Sequence, residues 1–453
     1  MDGKKSAIYS GKRHSREEKT MEGLLKTGTV LISENGSRYT VGKWLGAGSQ
    51  GEVYEVAGES GAYALKWYFL PSATAEQKKT LRNLLTKGSP DPSFLWPLDL
   101  VCPPGEKSFG YIMELRPKNY KSIVDLMKRT AEPTFAMLCR AAYNLTRGYE
   151  KLHASGCSYR DISFGNLFFD PENGEVLICD NDNVSINDQN DSGVLGTPGF
   201  MAPEIVLGKA YPSRNTDLHS LAVLLFYMFM INHPLNGRLE ANIKCMDLVA
   251  MERLYGSDPV FIFDPDDRRN RPVRGIHDNA VIYWELYPEN LKRLFTQAFT
   301  VGLKAPNRRV TEKQWTDAIA ELMSGILICP KCGVENFYDE RKEHAKIPHI
   351  CWNCSCKLDL PPKLAVGRHR ILLTKGGHLK SHHLHNDGDM DTIEGTVVSS
   401  PVEPSVLGLC NETGTNWMYT NPDGDQTLVP PGRSAKIQVG AHISFGSCDG
   451  EIW

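Results

Sequence analysis

Apolar residues in this chain change their spacing twice, and this limits the possible folds more than any single motif does. From Gly28 to about Pro117, short β-rich runs alternate with glycine turns. Within them Tyr111 to Leu115 reads as a strand and Ala75 to Leu85 as a helix. From Ser122 to Ser324 the spacing is helical, most clearly over Ala136 to His153 and Leu218 to Ile231. From Lys363 to Trp453 short alternating runs return between Gly, Pro, Asn and Asp turns. Strands gathered in blocks apart from the helices predict a multidomain α+β chain. Its 453 residues suit two to four domains. Residues 1–28 are polar and lack periodicity, which predicts a mobile arm. Met246 to Glu285 reads as a long irregular stretch with no recognisable chemistry.

A net charge of −3 gives no bulk reason to expect a nucleic-acid partner or an anionic membrane. The longest apolar run, Leu221 to Ile231, is too short to span a bilayer and reads as a buried helix. The first twenty-six residues contain no apolar signal-peptide core. Of twelve cysteines, Cys102, Cys139, Cys157, Cys179 and Cys245 are scattered singly. That pattern favours a reduced, cytoplasmic protein over a disulfide scaffold.

Gly46, Gly48 and Gly51 stand in GxGxxG spacing, with Val53 two residues on. Alone this signal is weak, because a dinucleotide-binding turn has the same spacing. That turn runs from strand to helix, whereas here both flanks, Tyr39 to Leu45 and Val53 to Val56, read as strands. A glycine hairpin lets backbone N–H groups approach phosphates with no Cβ in the way. Tyr63-Ala64-Leu65-Lys66 follows. The segment Tyr159-Arg160-Asp161-Ile-Ser163-Phe-Gly-Asn166 comes next, then a turn at Asp170 to Gly174, a strand from Glu175 to Cys179, and Asp180. Gly196-Thr197-Pro-Gly-Phe-Met-Ala-Pro-Glu204, Asp217 and Arg309 complete the series.

This series resembles the protein kinase family from roughly Tyr39 to Ser324. The resemblance implies a bilobal fold, with an N-lobe over 29–117 and a C-lobe over 118–325. It implies that Lys66 meets the α/β-phosphates of ATP, that Asp161 orients the acceptor hydroxyl, and that Asn166 and Asp180 hold Mg²⁺ or Mn²⁺. Gly46, Gly48, Gly51, Val53, Ala64, Met113, Glu114 and Phe168 would surround the nucleotide. Asp217 would anchor the catalytic loop, and Arg309 would pair with Glu204. Four positions depart from the family pattern. Tyr159 replaces a histidine, Ser163 stands where a lysine is usual, and Asn181-Asp182 replaces Phe-Gly, which makes Asp182 a second possible metal ligand. Glu76 is the only acid in the candidate helix, and it comes early for a partner of Lys66; a first-turn Glu favoured by the helix dipole reads equally well. Ala64-Leu-Lys-Trp-Tyr-Phe and Cys179-Asp-Asn-Asp-Asn further resemble bacterial kinases encoded beside a PP2C-type phosphatase and a von Willebrand A protein, in clusters linked to tellurite resistance and stress. Those two proteins are the implied partners, beside protein substrates. Among Ser185, Ser192 and Thr197, Ser192 is the better autophosphorylation candidate, the alternative being an acidic, Asn-rich loop that is ordered without phosphate.

Cys329-Pro-Lys-Cys332 and Cys351-Trp-Asn-Cys354 are two knuckles eighteen residues apart. Four thiolates at this spacing predict a closed, structural Zn²⁺ ribbon over 326–360. Cys356 competes in register with Cys354, while His344 and His349 read as surface residues. With Leu407-Gly-Leu-Cys-Asn-Glu-Thr-Gly-Thr-Asn-Trp417, then Pro430-Pro-Gly432, then Val439-Gly-Ala-His-Ile-Ser-Phe-Gly446, residues 361–453 resemble a degenerate forkhead-associated β-sandwich. Gly367-Arg368 lies close to the linker, and Ser381-His382-His383 lacks that family's phosphothreonine-binding spacing, so a plain docking module or another small β-barrel is expected. The sequence as a whole predicts a Ser/Thr protein kinase, with a nucleotide-binding pseudokinase scaffold as the alternative. Nucleic-acid binding through the ribbon lacks a basic, aromatic-rich surface.

Overall fold

The computed structural model describes residues 23–186 and 195–453. The chain forms two compact units. The first takes in residues up to Thr86 together with Pro97–Leu115; the second holds Lys87–Trp96 and everything from Arg116 on.

The first unit is a six-stranded antiparallel sheet, β1 (Val30–Ile32), β2 (Arg38–Ala47), β3 (Gly51–Gly58), β4 (Gly61–Tyr68), β5 (Asp99–Val101) and β6 (Gly110–Glu114), in the order β1-β2-β3-β4-β6-β5. Alternation along β2 and β3 turns Tyr39, Val41, Tyr54 and Val56 inward, where they pack with Leu65, Trp67 and Ile112. Helix α1 (Ala75–Lys87) buries Leu81 and Leu84. The end of the expected arm is not loose: Leu25 N donates to Tyr54 Oη at 3.0 Å, and Gly28 N to the Val41 carbonyl at 2.7 Å. The rest of that arm, and Ser192, lie outside the described residues.

The second unit is built around the helix Arg214–Met230, buried almost throughout from Thr216 to Met230. A helix apolar on every side belongs at the centre of a fold. Phe226 meets Phe261, Phe295 and Phe299 edge-on. Helices Phe135–Ala154, Glu289–Phe299 and Glu312–Ser324 surround it. Thr134 and Thr311 cap two of them through side-chain oxygens. The first ends as Gly156 turns left-handed (φ 76°). The stretch from Met246 contains short helices at Leu248–Glu252 and Asp278–Leu286, which its irregular pattern hid. Stacking of Phe263 on Trp284, with ring centroids 4.1 Å apart, pins it to the core.

Two sheets follow the cysteine region. One orders its strands His369–Leu372, Lys363–Val366, Asp449–Ile452, His442–Ser444, Trp417–Thr420 and Gln426–Val429. The other runs His378–Lys380, Ile393–Ser399, Leu407–Asn411 and Ser434–Lys436. Leu364, Leu409, Trp417, Ile443 and Ile452 form their shared core. These segments are fastened to the helices. Arg140 Nη2 pairs with Asp391 at 2.5 Å, Tyr143 Oη donates to the Gly388 carbonyl at 2.9 Å, and Arg368 forks onto Asp317 at 2.6 and 2.9 Å. No helix among the described residues is long and apolar enough to cross a membrane.

Candidate active site and metal centre

In the first unit, Gly48 N donates to the Gly51 carbonyl at 2.9 Å and closes the glycine hairpin between β2 and β3. The three glycines serve different ends. A Cβ on Gly51 would lie 2.2 Å from the Trp67 carbonyl, so the β3–β4 pairing itself excludes a side chain there. A Cβ on Gly46 or Gly48 would meet nothing within 4 Å. Packing therefore does not demand those two, and what they leave is open backbone. Lys66 on β4 is only 5% exposed, and its Nζ donates to Gln50 Oε1 at 3.1 Å. Val53 is its cross-strand partner on β3. Ala64 pairs with Met113, both are buried, and Glu114 is exposed. Glu76 is exposed on the first turn of α1.

In the second unit, the loop Tyr159–Asn166 hangs from one buried carboxylate. Asp217 Oδ2 accepts from Tyr159 N at 2.5 Å, and Oδ1 from Arg160 N at 2.9 Å. Arg160 and Asp180 both take left-handed backbone conformations (φ 74° and 53°), which non-glycine residues adopt only when their surroundings hold them there. Tyr159 Oη donates to the Cys179 carbonyl, one residue before Asp180. Asn166 O accepts from Cys179 N at 2.9 Å, so the amide and Asp180 sit on adjoining strand ends. Asn166 Nδ2 also donates to the Asp161 carbonyl at 3.0 Å. Thr197 Oγ1 donates to Asp161 Oδ1 at 2.6 Å. Phe168 lies under the Arg116 guanidinium, 3.9 Å from its ring centroid. Asn181, fully buried, donates through Nδ2 to the carbonyls of Leu95 (2.8 Å) and Ile178 (2.9 Å). Asp182 is 1% exposed, whereas Asp180 is part-exposed.

Arg309 grips Glu204 with two 2.8 Å bonds. A paired guanidinium and carboxylate buried this way hold the segment after Thr197 against the helices.

The sulfurs of Cys329, Cys332, Cys351 and Cys354 all lie within 4.8 Å of one another, two pairs of them at 3.6 Å. Tetrahedral M–S bonds of about 2.3 Å require S···S separations of about 3.8 Å, so the four fit one ion. Cys356 points away, toward the Lys357 carbonyl. His349 is buried rather than on the surface: it accepts from Asp339 N at 3.0 Å and stacks on Tyr338. His344 is exposed, as expected.

A protein kinase domain model matches residues 39–318. The chain belongs to the protein kinase family. Relatives include the cell cycle serine/threonine-protein kinase CDC5/MSD2 of Saccharomyces cerevisiae, 26% identical over 51% of this chain and 34% of its own length. Serine/threonine-protein kinase plk-2 of Caenorhabditis elegans is 28% identical over 45% of this chain and 32% of its own. Protein kinase YegI of Escherichia coli (strain K12) is 25% identical over 67% of this chain and 48% of its own. The chain spans about a third to a half of these relatives' length.

Three residues of this kinase domain that the motifs did not single out support its loop. His153 Nε2 meets Asp217 Oδ2 at 3.1 Å and Nδ1 meets Glu312, which Arg214 holds from outside at 2.9 Å. The sequence signals were a histidine at a helix end and a first-turn glutamate, both of which usually mean only a favourable helix dipole. Burial opposes a charge on His153, but the two carboxylates outweigh it and lift its pKa to about 9. For Glu312, burial is outweighed by His153 and Arg214, and its pKa falls to about 2.

The sign follows for each group. The raised histidine stabilises fully below its unfolded pKa near 6.5, and that contribution is lost as pH rises through about 9. The lowered glutamate stabilises above about 4.5, and that contribution is lost as pH falls toward 2. Thermal melting is expected to drop between pH 6.5 and 9, by an amount equivalent to about 2–3 kcal/mol. The His153→Gln variant should lack this alkaline slope. Parallel slopes for wild type and variant would show that His153 does not carry the charge.

Proposed function

We propose that this chain is an ATP-dependent Ser/Thr protein kinase that moves the γ-phosphate of ATP to a protein hydroxyl, its own included. The observation that carries this reading is the bonding of Asp161: Thr197 fixes one carboxylate oxygen and Asn166 holds its carbonyl, on a loop suspended from Asp217. A carboxylate so fixed can orient an acceptor hydroxyl and take its proton as the new P–O bond forms. Asn166 and Asp180 supply one amide and one carboxylate oxygen suited to Mg²⁺ or Mn²⁺. When bound, that ion neutralises charge on the phosphates. Lys66 contacts the α/β-phosphates, and the bare backbone of Gly46 and Gly48 admits them closely. Val53, Ala64, Met113 and Glu114 of the first unit, and Phe168 of the second, are read as contacts of the base. Asp180 is favoured over Asp182 as metal ligand because Asp182 is sealed from solvent.

The cysteine cluster is read as a structural Zn²⁺ ribbon, and the terminal sheets as a forkhead-associated-like domain serving as a docking module. Arg368, the residue that could meet a phosphate there, is instead bonded to Asp317. A PP2C-type phosphatase, a von Willebrand A protein and a bacterial stress role follow from resemblance, as does a reducing cytoplasmic setting.

The test is incorporation of label from [γ-³²P]ATP by the purified chain with Mg²⁺ and a generic acceptor protein, followed by site mapping. Phosphoserine or phosphothreonine is expected. Tight nucleotide binding without transfer would favour the pseudokinase scaffold, for which Asn181 in place of phenylalanine is the specific argument.

A further inference from the structure

Two buried histidines stand side by side on the short helix Ser381–His385, their ring centroids 3.8 Å apart, and their bonding differs. His383 is saturated: Nδ1 accepts from Lys380 N at 3.0 Å, and Nε2 donates to Ser324 Oγ at 2.9 Å. His382 is not. Its Nδ1 meets the Asp389 carbonyl at 3.2 Å, and a carbonyl only accepts, so that nitrogen carries the proton. Nε2 is left as a bare acceptor. It has no hydrogen-bond partner among the described residues, although the residue is only 5% exposed. Burial keeps the ring neutral, pushing its pKa down to about 4. Arg140 shows the same defect with the opposite polarity. Its Nη1 and Nη2 donate to the Met390 carbonyl at 3.3 Å and to Asp391 Oδ1 at 2.5 Å, while its buried Nε–H has no partner among the described residues. Lys380 Nζ joins Arg140 on the Met390 carbonyl at 2.7 Å.

Three consecutive residues, Asp389 to Asp391, thus anchor His382, Arg140 and Lys380, and all three side chains line one cavity of about 500 Å³. Met137 and Met323 from the helices and Ile371 from the sheet give it an apolar wall. An apolar cavity of this size with a few convergent polar groups suits a small molecule. Buried polar atoms without a partner are rare, and each calls for a cause. The nearby carboxylates leave the two cations partly unanswered: Asp391 is 80% exposed, Glu172 is exposed at the rim, and Asp389 is bonded to Thr392.

We propose that this cavity binds a small oxyanion that carries a hydroxyl of its own, its charge set toward Lys380 and Arg140 and its O–H donated to His382 Nε2. A hydroxycarboxylate and hydrogen phosphate share that chemistry. An anion without a proton to donate would leave the histidine nitrogen unpaired, and a neutral alcohol would leave the cations uncompensated. The occupant touches the helix Phe135–Ala154 and the terminal β segments together, so binding fastens one to the other. None of these residues is assigned to nucleotide or acceptor, so the inference does not depend on the kinase reading.

The experiment is calorimetric titration of the full chain at neutral pH. Malate is compared with succinate, which lacks only its hydroxyl, and phosphate with sulfate, which keeps no proton at that pH. Saturable binding of malate or phosphate is expected, about five- to tenfold tighter than its partner anion, the size of one hydrogen bond. The pair that responds distinguishes an organic from an inorganic source. Lys380→Met should weaken the responding anion by at least about tenfold, since a bond to a charged group is lost. His382→Phe should bring the two anions of that pair within about twofold of each other, because the acceptor that tells them apart is gone. Should that variant fail to fold, an NMR spectrum of the imidazole nitrogens in the wild-type chain decides the point: the His382 Nε2 signal should shift as the anion is added. The proposal is overturned if neither pair binds saturably in the millimolar range, if the two anions of each pair bind alike, if Lys380→Met binds like wild type, or if the His382 Nε2 signal does not move.

Discussion

Replacing Asp180 with Asn is expected to reduce phosphate transfer by at least roughly 10²–10³-fold, the cost of removing one preorganised electrostatic partner from a charged transition state. Asparagine is the informative substitution, because Asp180 sits at φ 53° and asparagine tolerates that conformation while losing the charge. The fold should survive, with an unchanged circular dichroism spectrum. Asp182→Asn should keep most of the turnover, since that side chain is buried and turned from solvent. The reverse outcome, with Asp182→Asn inactive and Asp180→Asn active, would move the metal ligand two residues along the chain. Asp161→Asn should fall as far as Asp180→Asn, because on the proposed reading it loses the group that takes the hydroxyl proton.

The second large effect concerns the four cysteines. About one Zn²⁺ per chain is expected by elemental analysis. Chelation, or Cys332→Ser, should unfold the ribbon, because in so small a module metal binding is most of the folding energy. The damage should spread. Ribbon residue Glu335 accepts from Ala136 N at 2.9 Å and so satisfies the first turn of the helix Phe135–Ala154. Phe337 and Trp352, the latter inside the second knuckle, pack against Phe135. Losing that cap and its packing should lower the melting temperature of the second unit by several degrees, since a helix cap alone contributes about 1 kcal/mol. Freshly purified, reduced protein with no zinc and an unchanged melting curve would contradict this.

The parts of the site that were legible in the sequence are those whose chemistry demands particular residue types at short spacing. Asp161 and Asn166 share one loop, and Cys329 and Cys332 share one knuckle, so local order is enough to place them together. What stayed hidden depends on long-range meetings. Glu312 lies 159 residues from His153, and each looks ordinary alone. His349 was misjudged because burial of a polar ring depends on Asp339 and Tyr338, which a local reading does not bring together. Met246 to Glu285 looked structureless because its helices are short and its order comes from single contacts, such as Phe263 on Trp284 and Asn270 on the Leu235 and Val260 carbonyls, rather than from a repeat.

Asn181 bears on how this protein would meet small molecules. A small molecule that pried out the residue after Asp180 could fill the space that its side chain leaves. Here the side chain to be pried out is an amide bonded to two backbone carbonyls, those of Leu95 and Ile178. Extracting it would strand the Leu95 carbonyl in a dry interior, at a cost of about 1–3 kcal/mol, while the Ile178 carbonyl would keep its 2.9 Å bond from Leu95 N. An apolar wedge cannot repay that loss. A compound that reached this space would have to bring a hydrogen-bond donor of its own for the Leu95 carbonyl, and that donor would find little use in a kinase with phenylalanine at this position.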